Sequence, residues 1–217
     1  MIKAVLFDLD GVLVSTDEYH YHSWKKISDE EGFDFFNHEF NHKFRGVGRM
    51  ECVEIITKAS GKNYSPKQKQ ELSDRKNRYF AESLSTVTQE ALLPGALVTL
   101  KELKKRKIKT AVASNSRNAI TIIKQVGIEH LLDTIVDGHQ IENSKPDPEV
   151  FLLAAKNVGI SPDHCLVVED AIAGIESAKR AGMKALGIGT KERLSNAKIV
   201  IPNLSAISVE ELLNIDL

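Results

Sequence analysis

Apolar residues occur along this chain in two patterns. In segments 4–7, 110–113 and 166–168 they form short continuous runs, as in strands of a parallel sheet covered on both faces by helices. Between those runs they recur at helical spacing. Leu97, Leu100 and Leu103, with Lys104, form one face before the second run; Ala119, Ile122, Ile123 and Val126 form one after it. Val150, Leu153, Ala154 and Val158 follow the start signal Asp147-Pro148, while Ile172, Ile175, Ala178 and Lys179 follow the third run and stop at Gly182. Segments 183–188 and 198–201 read as two further strands and 209–213 as a closing helix. Strands alternating with helices predict an α/β fold.

Between Val14 and the Leu93-Pro94-Gly95 turn the pattern is helical throughout. The spacing predicts helices over 17–31, 37–43, 49–60 and 66–84, with Ser65-Pro66 as the cap and first turn of the last. Residues 16–87 are therefore expected to be a helical insertion, and residues 1–15 and 88–217 an α/β core. No internal repeat or low-complexity segment interrupts either.

Composition narrows the partners. Twenty-nine Lys and Arg against 30 Asp and Glu leave a formal charge of -1, without the basic excess that nucleic acid or an anionic membrane demands. With 42% hydrophobic residues the chain has a core to bury, and no apolar run approaches the roughly 20 residues of a membrane span. The first residues are too short an apolar run for a signal peptide. Cys52 and Cys165 stand far apart without ligand spacing and read as reduced thiols. The expectation is a cytoplasmic monomer acting on a small molecule, with no nucleic-acid or membrane partner.

The chemistry gathers where the apolar runs end. The first ends in Asp8-Leu9-Asp10-Gly11, the second in Ser114-Asn115-Ser116, the third in Glu169-Asp170, and Ser144-Lys145-Pro146-Asp147-Pro148 lies between the last two. Ligands of open parallel sheets bind beyond the carboxyl ends of the strands, so these four segments are expected on one rim. Asp8 and Asp10 alternate by two and point the same way while the chain is extended. Paired carboxylates require a cation or a shared proton. With Asp170 as a third oxygen donor and Glu169 as a fourth, the set suits magnesium. Ser114 and Lys145 offer a hydroxyl and a fixed positive charge to phosphoryl oxygens. Asp8 can attack phosphorus, and Asp10 can give and take the proton. Each residue alone has an ordinary reading: strand-end acids and Ser114 as caps, Lys145 and Arg49 as surface cations, His20 as a core histidine, Lys76 as a snorkelling side chain. Only the joint placement speaks for phosphate chemistry.

Asp8-Leu9-Asp10-Gly11-Val12, Ser114-Asn115, Lys145-Pro146 and Glu169-Asp170 together resemble the haloacid-dehalogenase-like phosphotransferases over essentially the whole chain. That resemblance implies a doubly wound Rossmann-like parallel sheet with an inserted α-helical cap. It also implies Asp8 as nucleophile, Asp10 as acid and base, and Mg2+ held by Asp8, Asp10, Glu169 and Asp170. Within the insertion, Thr16, Glu18, Tyr19, His20, Trp24, Gly46-Val47-Gly48-Arg49 and Lys76-Asn77 are similar to the β-phosphoglucomutase branch of that family. Ser114 to Asn118 resemble its substrate loop. The branch implies phosphate or sugar contacts from Thr16, His20, Trp24, Gly46, Val47, Arg49, Lys76, Ser114, Asn115, Ser116, Asn118 and Lys145. The implied reaction interconverts β-D-glucose 1-phosphate and glucose 6-phosphate through glucose 1,6-bisphosphate. A sugar-phosphate phosphatase is the alternative, and a non-catalytic phosphosugar-binding protein a weaker one. The chain departs from the branch at Ser15, Gly48, Cys52 and Asn115. His38 and His42 share a helical face but lack a third ligand, and are expected to meet solvent.

Overall fold

The computed structural model describes residues 1–44 and 47–216. Six strands form one parallel sheet: β1 (Ala4–Phe7), β2 (Lys109–Ala113), β3 (Thr134–Val136), β4 (Cys165–Glu169), β5 (Lys184–Ile188) and β6 (Ile199–Ile201), ordered β3-β2-β1-β4-β5-β6. The continuous apolar runs have the physical basis expected of them. Along β1, Val5 and Phe7 enter one buried cluster and Ala4 and Leu6 the other, all at 0% exposure. Both faces are covered, so neither residue parity can be polar.

The helices are α1 (Asp17–Glu31), α2 (His38–Asn41), α3 (Arg49–Ala59), α4 (Pro66–Ser83), α5 (Ala96–Lys105), α6 (Ala119–Gln125), α7 (Glu149–Val158), α8 (Ile172–Arg180) and α9 (Val209–Leu213). The 37–43 segment splits into α2 and a short 3-10 turn over His42–Phe44. Strand β3 is the element the apolar pattern does not announce: it has three residues, set between Asp133 and Asp137. Asp133 accepts the amide of Thr110 at 2.9 Å, beside the ladder that pairs β3 to β2.

Helices α1 to α4 stand beyond the carboxyl ends of β1 and β2 around a third cluster. It contains Trp24, Ile27, Phe33, Phe36, Phe44, Val53, Ile56 and Leu72. Ser65 caps α4 by accepting the amide of Gln68 at 3.3 Å, and Gln68 accepts the amide of Ser65 at 2.8 Å. The far end of α4 joins the sheet, since Phe80, Leu84 and Val87 belong to the cluster of Val5 and Phe7. Among the described residues no helix is long and apolar enough to cross a membrane.

Candidate active site

Strand order turns back at β1, with β2 on one side and β4 on the other, and a crevice opens above such a switch point. Register places Phe7 level with Val112 and with Val168. One residue further on, Asp8, Ala113 and Glu169 therefore stand level on three adjacent strands. Lys145 is the cation that joins them. Its Nζ donates to Asp8, to Oε1 of Glu169 at 2.8 Å and to the carbonyl of Ala113 at 3.0 Å. The lysine is 2% exposed, which overturns the surface-lysine reading. Burial alone would lower its pKa, but the charges of Asp8 and Glu169 hold it above the ordinary value. A charged lysine persists there because both carboxylates meet it directly.

The chain turns after Asp10 through Gly11, at φ +83°. A β-carbon on Gly11 would stand 2.4 Å from the Asp170 carboxylate, so the turn packs against Asp170 and glycine is required on both counts. Asp8, Asp10 and Asp170 line one cavity of about 680 Å³. Burial, and then the charge of Asp8, pushes the Asp10 carboxyl up to about 7, against a hydrogen bond from Thr16 that pulls it down. Near neutral pH Asp10 thus exchanges a proton readily.

Thr16, expected among the substrate contacts, is fully buried and donates its hydroxyl to Asp10; it does not line the cavity. Glu169, expected as a fourth oxygen donor, does not line it either. Its second oxygen accepts the amide of Ala171 at 2.6 Å, which leaves it as the anchor of Lys145. Among the described residues no three acid, histidine or cysteine side chains are grouped so as to hold a metal ion by themselves. The open trio Asp8, Asp10 and Asp170 still fits magnesium, which keeps several waters and takes one or two carboxylates plus substrate phosphate.

The helical side of the cavity supplies His20, Trp24, Val47, Gly48, Arg49 and Lys76; Gly46 lies outside the described residues. Lys76 is 3% exposed, so it does not snorkel. Its Nζ sits 2.8 Å from Nδ1 of His20 and 4.4 Å over the Phe80 ring, on which His20 stacks at 4.0 Å. Burial, outweighing the pull of Cys52, lowers the Lys76 pKa to about 7, and burial followed by the charge of Lys76 holds His20 well below its usual value. Arg49 opens α3 and donates Nε to Ser73 at 3.0 Å. Its pKa is lowered by burial and then by Arg117 across the cavity. Two guanidinium groups facing one space make a seat for an anion.

The loop after β2 closes the rim. Ser114, Asn115, Ser116 and Asn118 all line the cavity. Ser114 accepts the amide of Ser116 at 3.0 Å, Ser116 accepts that of Asn118 at 3.2 Å, and Asn115 accepts that of Lys145 at 3.2 Å. Asn118 also donates to Asn77 on α4 at 2.9 Å, a direct tie between the sheet and the helical segment. Ser73 was not singled out by sequence, and Arg117 and Ser144, though inside the segments that carry the motifs, were given no role. Ser73 carries one legible signal, its place three residues before Lys76 on the same face of α4. Cys52 lines the cavity as an inert thiol, pushed up to about 12 by burial. His38 and His42 are exposed, His38 stacking on Tyr21 at 3.6 Å.

A buried strand-end aspartate held by lysine, a second aspartate two residues on, and an acid beyond the neighbouring strand make a recognisable arrangement. A family model described as haloacid dehalogenase-like hydrolase matches residues 5–188. The chain belongs to this family. A haloacid dehalogenase-like relative, the β-phosphoglucomutase of Bacillus subtilis, is 40% identical over 96% of this chain and 93% of its own length. The phosphorylated carbohydrates phosphatase of Thermotoga maritima is 28% identical over 99% of this chain and 98% of its own. Among solved structures, a β-phosphoglucomutase from Clostridium difficile superimposes with a TM-score of 0.93 at 35% identity, covering 99% of this chain and 96% of that one. Relatives of this haloacid dehalogenase-like enzyme thus include an isomerase and a hydrolase.

Proposed function

We propose that this enzyme interconverts β-D-glucose 1-phosphate and glucose 6-phosphate by way of an aspartyl phosphate on Asp8 and glucose 1,6-bisphosphate. The observation that carries the reading is the presence of two cationic loci in one cavity: Lys145 beside Asp8, and Arg49 with Arg117. A mutase must hold a phosphate at each end of a sugar and accept the monophosphate in either orientation. A second locus built from two guanidinium groups serves that need, while simple hydrolysis of one ester does not require it.

In the proposed cycle Asp8 attacks one phosphorus of glucose 1,6-bisphosphate, the sugar oxygen departs with the monophosphate, and Asp10 donates the proton that the departing oxygen needs. The sugar phosphate then turns, Asp10 takes the proton of the incoming hydroxyl, and that oxygen removes the phosphoryl group from Asp8. Thr16 fixes Asp10, and Glu169 fixes Lys145. Magnesium, held by Asp8, Asp10 and Asp170, would supply positive charge to the phosphoryl oxygens. Residues 16–87 act as the cap, which must close because a wet aspartyl phosphate would hydrolyse. Ser114, Ser116 and Asn118 offer hydroxyl and amide groups to the phosphates, and Trp24 and Val47 wall the sugar.

A phosphatase is the second reading, favoured by the Thermotoga relative; there water replaces the second hydroxyl. Phosphorus NMR of β-glucose 1-phosphate with magnesium and a trace of bisphosphate separates the two. Glucose 6-phosphate as the product supports the mutase, and inorganic phosphate as the main product sinks it.

A further inference from the structure

We propose that Arg193 is a positioning residue that sets how tightly the Asp8, Asp10 and Asp170 group takes a divalent cation. The inference rests on reading those carboxylates as the magnesium site. Arg193 lies in the loop after β5 and reaches back across Gly189, where a β-carbon would stand 3.6 Å from its Nη1. Its Nη2 donates to Asp170 twice, to the backbone carbonyl at 3.2 Å and to Oδ2 at 3.3 Å. The arginine side chain is 40% exposed while that of Asp170 is 9% exposed. A solvent-side cation is thus laid directly on a carboxylate that faces the cavity.

The loop holds it there. The amide of Leu194 donates to the carbonyl of Thr190 at 3.1 Å, and Leu194 itself is 1% exposed. Asn196 donates to the carbonyl of Ile172 at 3.1 Å, and Lys179 donates to the carbonyl of Asn196 at 2.5 Å. Of the other loop cations, Lys191 is turned away onto the carbonyl of Ala197. Arg193 directs its charge at Asp170.

An ion pair this exposed adds little to folding stability, but its charge is one hydrogen bond from a cation ligand. Before the metal arrives, the guanidinium offsets the mutual repulsion of the carboxylates and fixes the direction of Asp170. Once a divalent ion is bound, two cations share Asp170 and repel each other. Arg193 therefore loosens the metal and keeps it exchangeable. A unit charge beside a divalent ion in a half-solvated setting changes affinity by roughly tenfold, and less as salt rises.

Magnesium titration by calorimetry on the full chain tests this, with wild type, Arg193→Met and Arg193→Lys compared at low and at elevated ionic strength. The expected result is binding about tenfold tighter in R193M, close to wild type in R193K, with the gap shrinking in salt. Equal or weaker binding by R193M overturns the role of Arg193, as does tightening that R193K shares. Absence of magnesium uptake by all three proteins would instead overturn the metal site itself, and the inference with it.

Discussion

Lys145 and Glu169 are paired at 2.8 Å with each side chain 1% exposed. Removing Glu169 leaves Lys145 with Asp8 as its one carboxylate and strands the Ala171 amide that Glu169 accepts, at a cost of about 1 to 3 kcal/mol. Glu169→Ala is expected to lose about that much stability in urea unfolding, and Glu169→Gln less, because the amide still accepts from Lys145. A loss under about 1 kcal/mol for the alanine variant would remove Glu169 as the anchor of Lys145.

Gly48 meets Ser144 across the seam between helices and sheet. A β-carbon at 48 would lie 2.7 Å from the Ser144 hydroxyl and 2.4 Å from a Glu51 oxygen. The backbone there, at φ -62° and ψ 148°, suits any residue, so only the contact is at stake. Gly48→Ala is expected to lower kcat/KM about tenfold with unfolding stability unchanged, and Ser144→Gly added to it to restore part of the loss, since the contact with Glu51 remains. Failure of the second change to rescue the first would show that the seam does not govern closure.

In the proposed mutase cycle Arg49 holds the phosphate that is not being transferred. Losing a half-buried, hydrogen-bonded charge that meets a phosphate costs about 3 kcal/mol in binding. Arg49→Ala should therefore reduce steady-state mutase flux about a hundredfold. Single-turnover phosphorylation of Asp8 by a small phosphate donor should change by less than about threefold. Equal losses in the two assays would contradict this placement of Arg49.

Lys76 gives stability a definite pH dependence. Its folded pKa is lowered to about 7, burial being the main cause, while an unfolded lysine titrates near 10.4. His20, Cys52, Arg49 and Asp10 are the ionisable groups that act on it. Between those two pH values the unfolded chain binds more protons, so stability rises with pH through this window, by up to about 1.4 kcal/mol per unit. Urea unfolding of wild type against Lys76→Met between pH 7 and pH 10 should show that slope only in wild type. Parallel curves would mean that Lys76 keeps its proton when folded.

Most of the sheet was legible because strands buried on both faces must be apolar at every position, as Ala4–Phe7 is. Strand β3 was not, since a three-residue edge strand between two acids leaves no run to read. The two aspartates were legible because sequence neighbours fix them to the first strand end, and Lys145 because Pro146 and the helix start after Pro148 mark its loop. Thr16 and Glu169 were expected to face the ligand. Tertiary packing turned them onto Asp10 and Lys145 instead, a choice that spacing along the chain does not encode. Arg193 reaches the site only through the approach of a separate segment, and no pattern local to it announces it.

In the proposed mutase, phosphoryl bound to Asp8 is passed to a sugar hydroxyl and not to water. The most direct test is to label the enzyme with radioactive phosphate from a small donor, in wild type and Asp8→Asn, and follow discharge with and without glucose 6-phosphate. The account predicts no label on D8N. In wild type it predicts transfer to glucose 1,6-bisphosphate at least about a hundredfold faster than release to water, the advantage expected of an oriented acceptor in a closed site. Release as inorganic phosphate at one rate, whether or not the sugar is present, would contradict it.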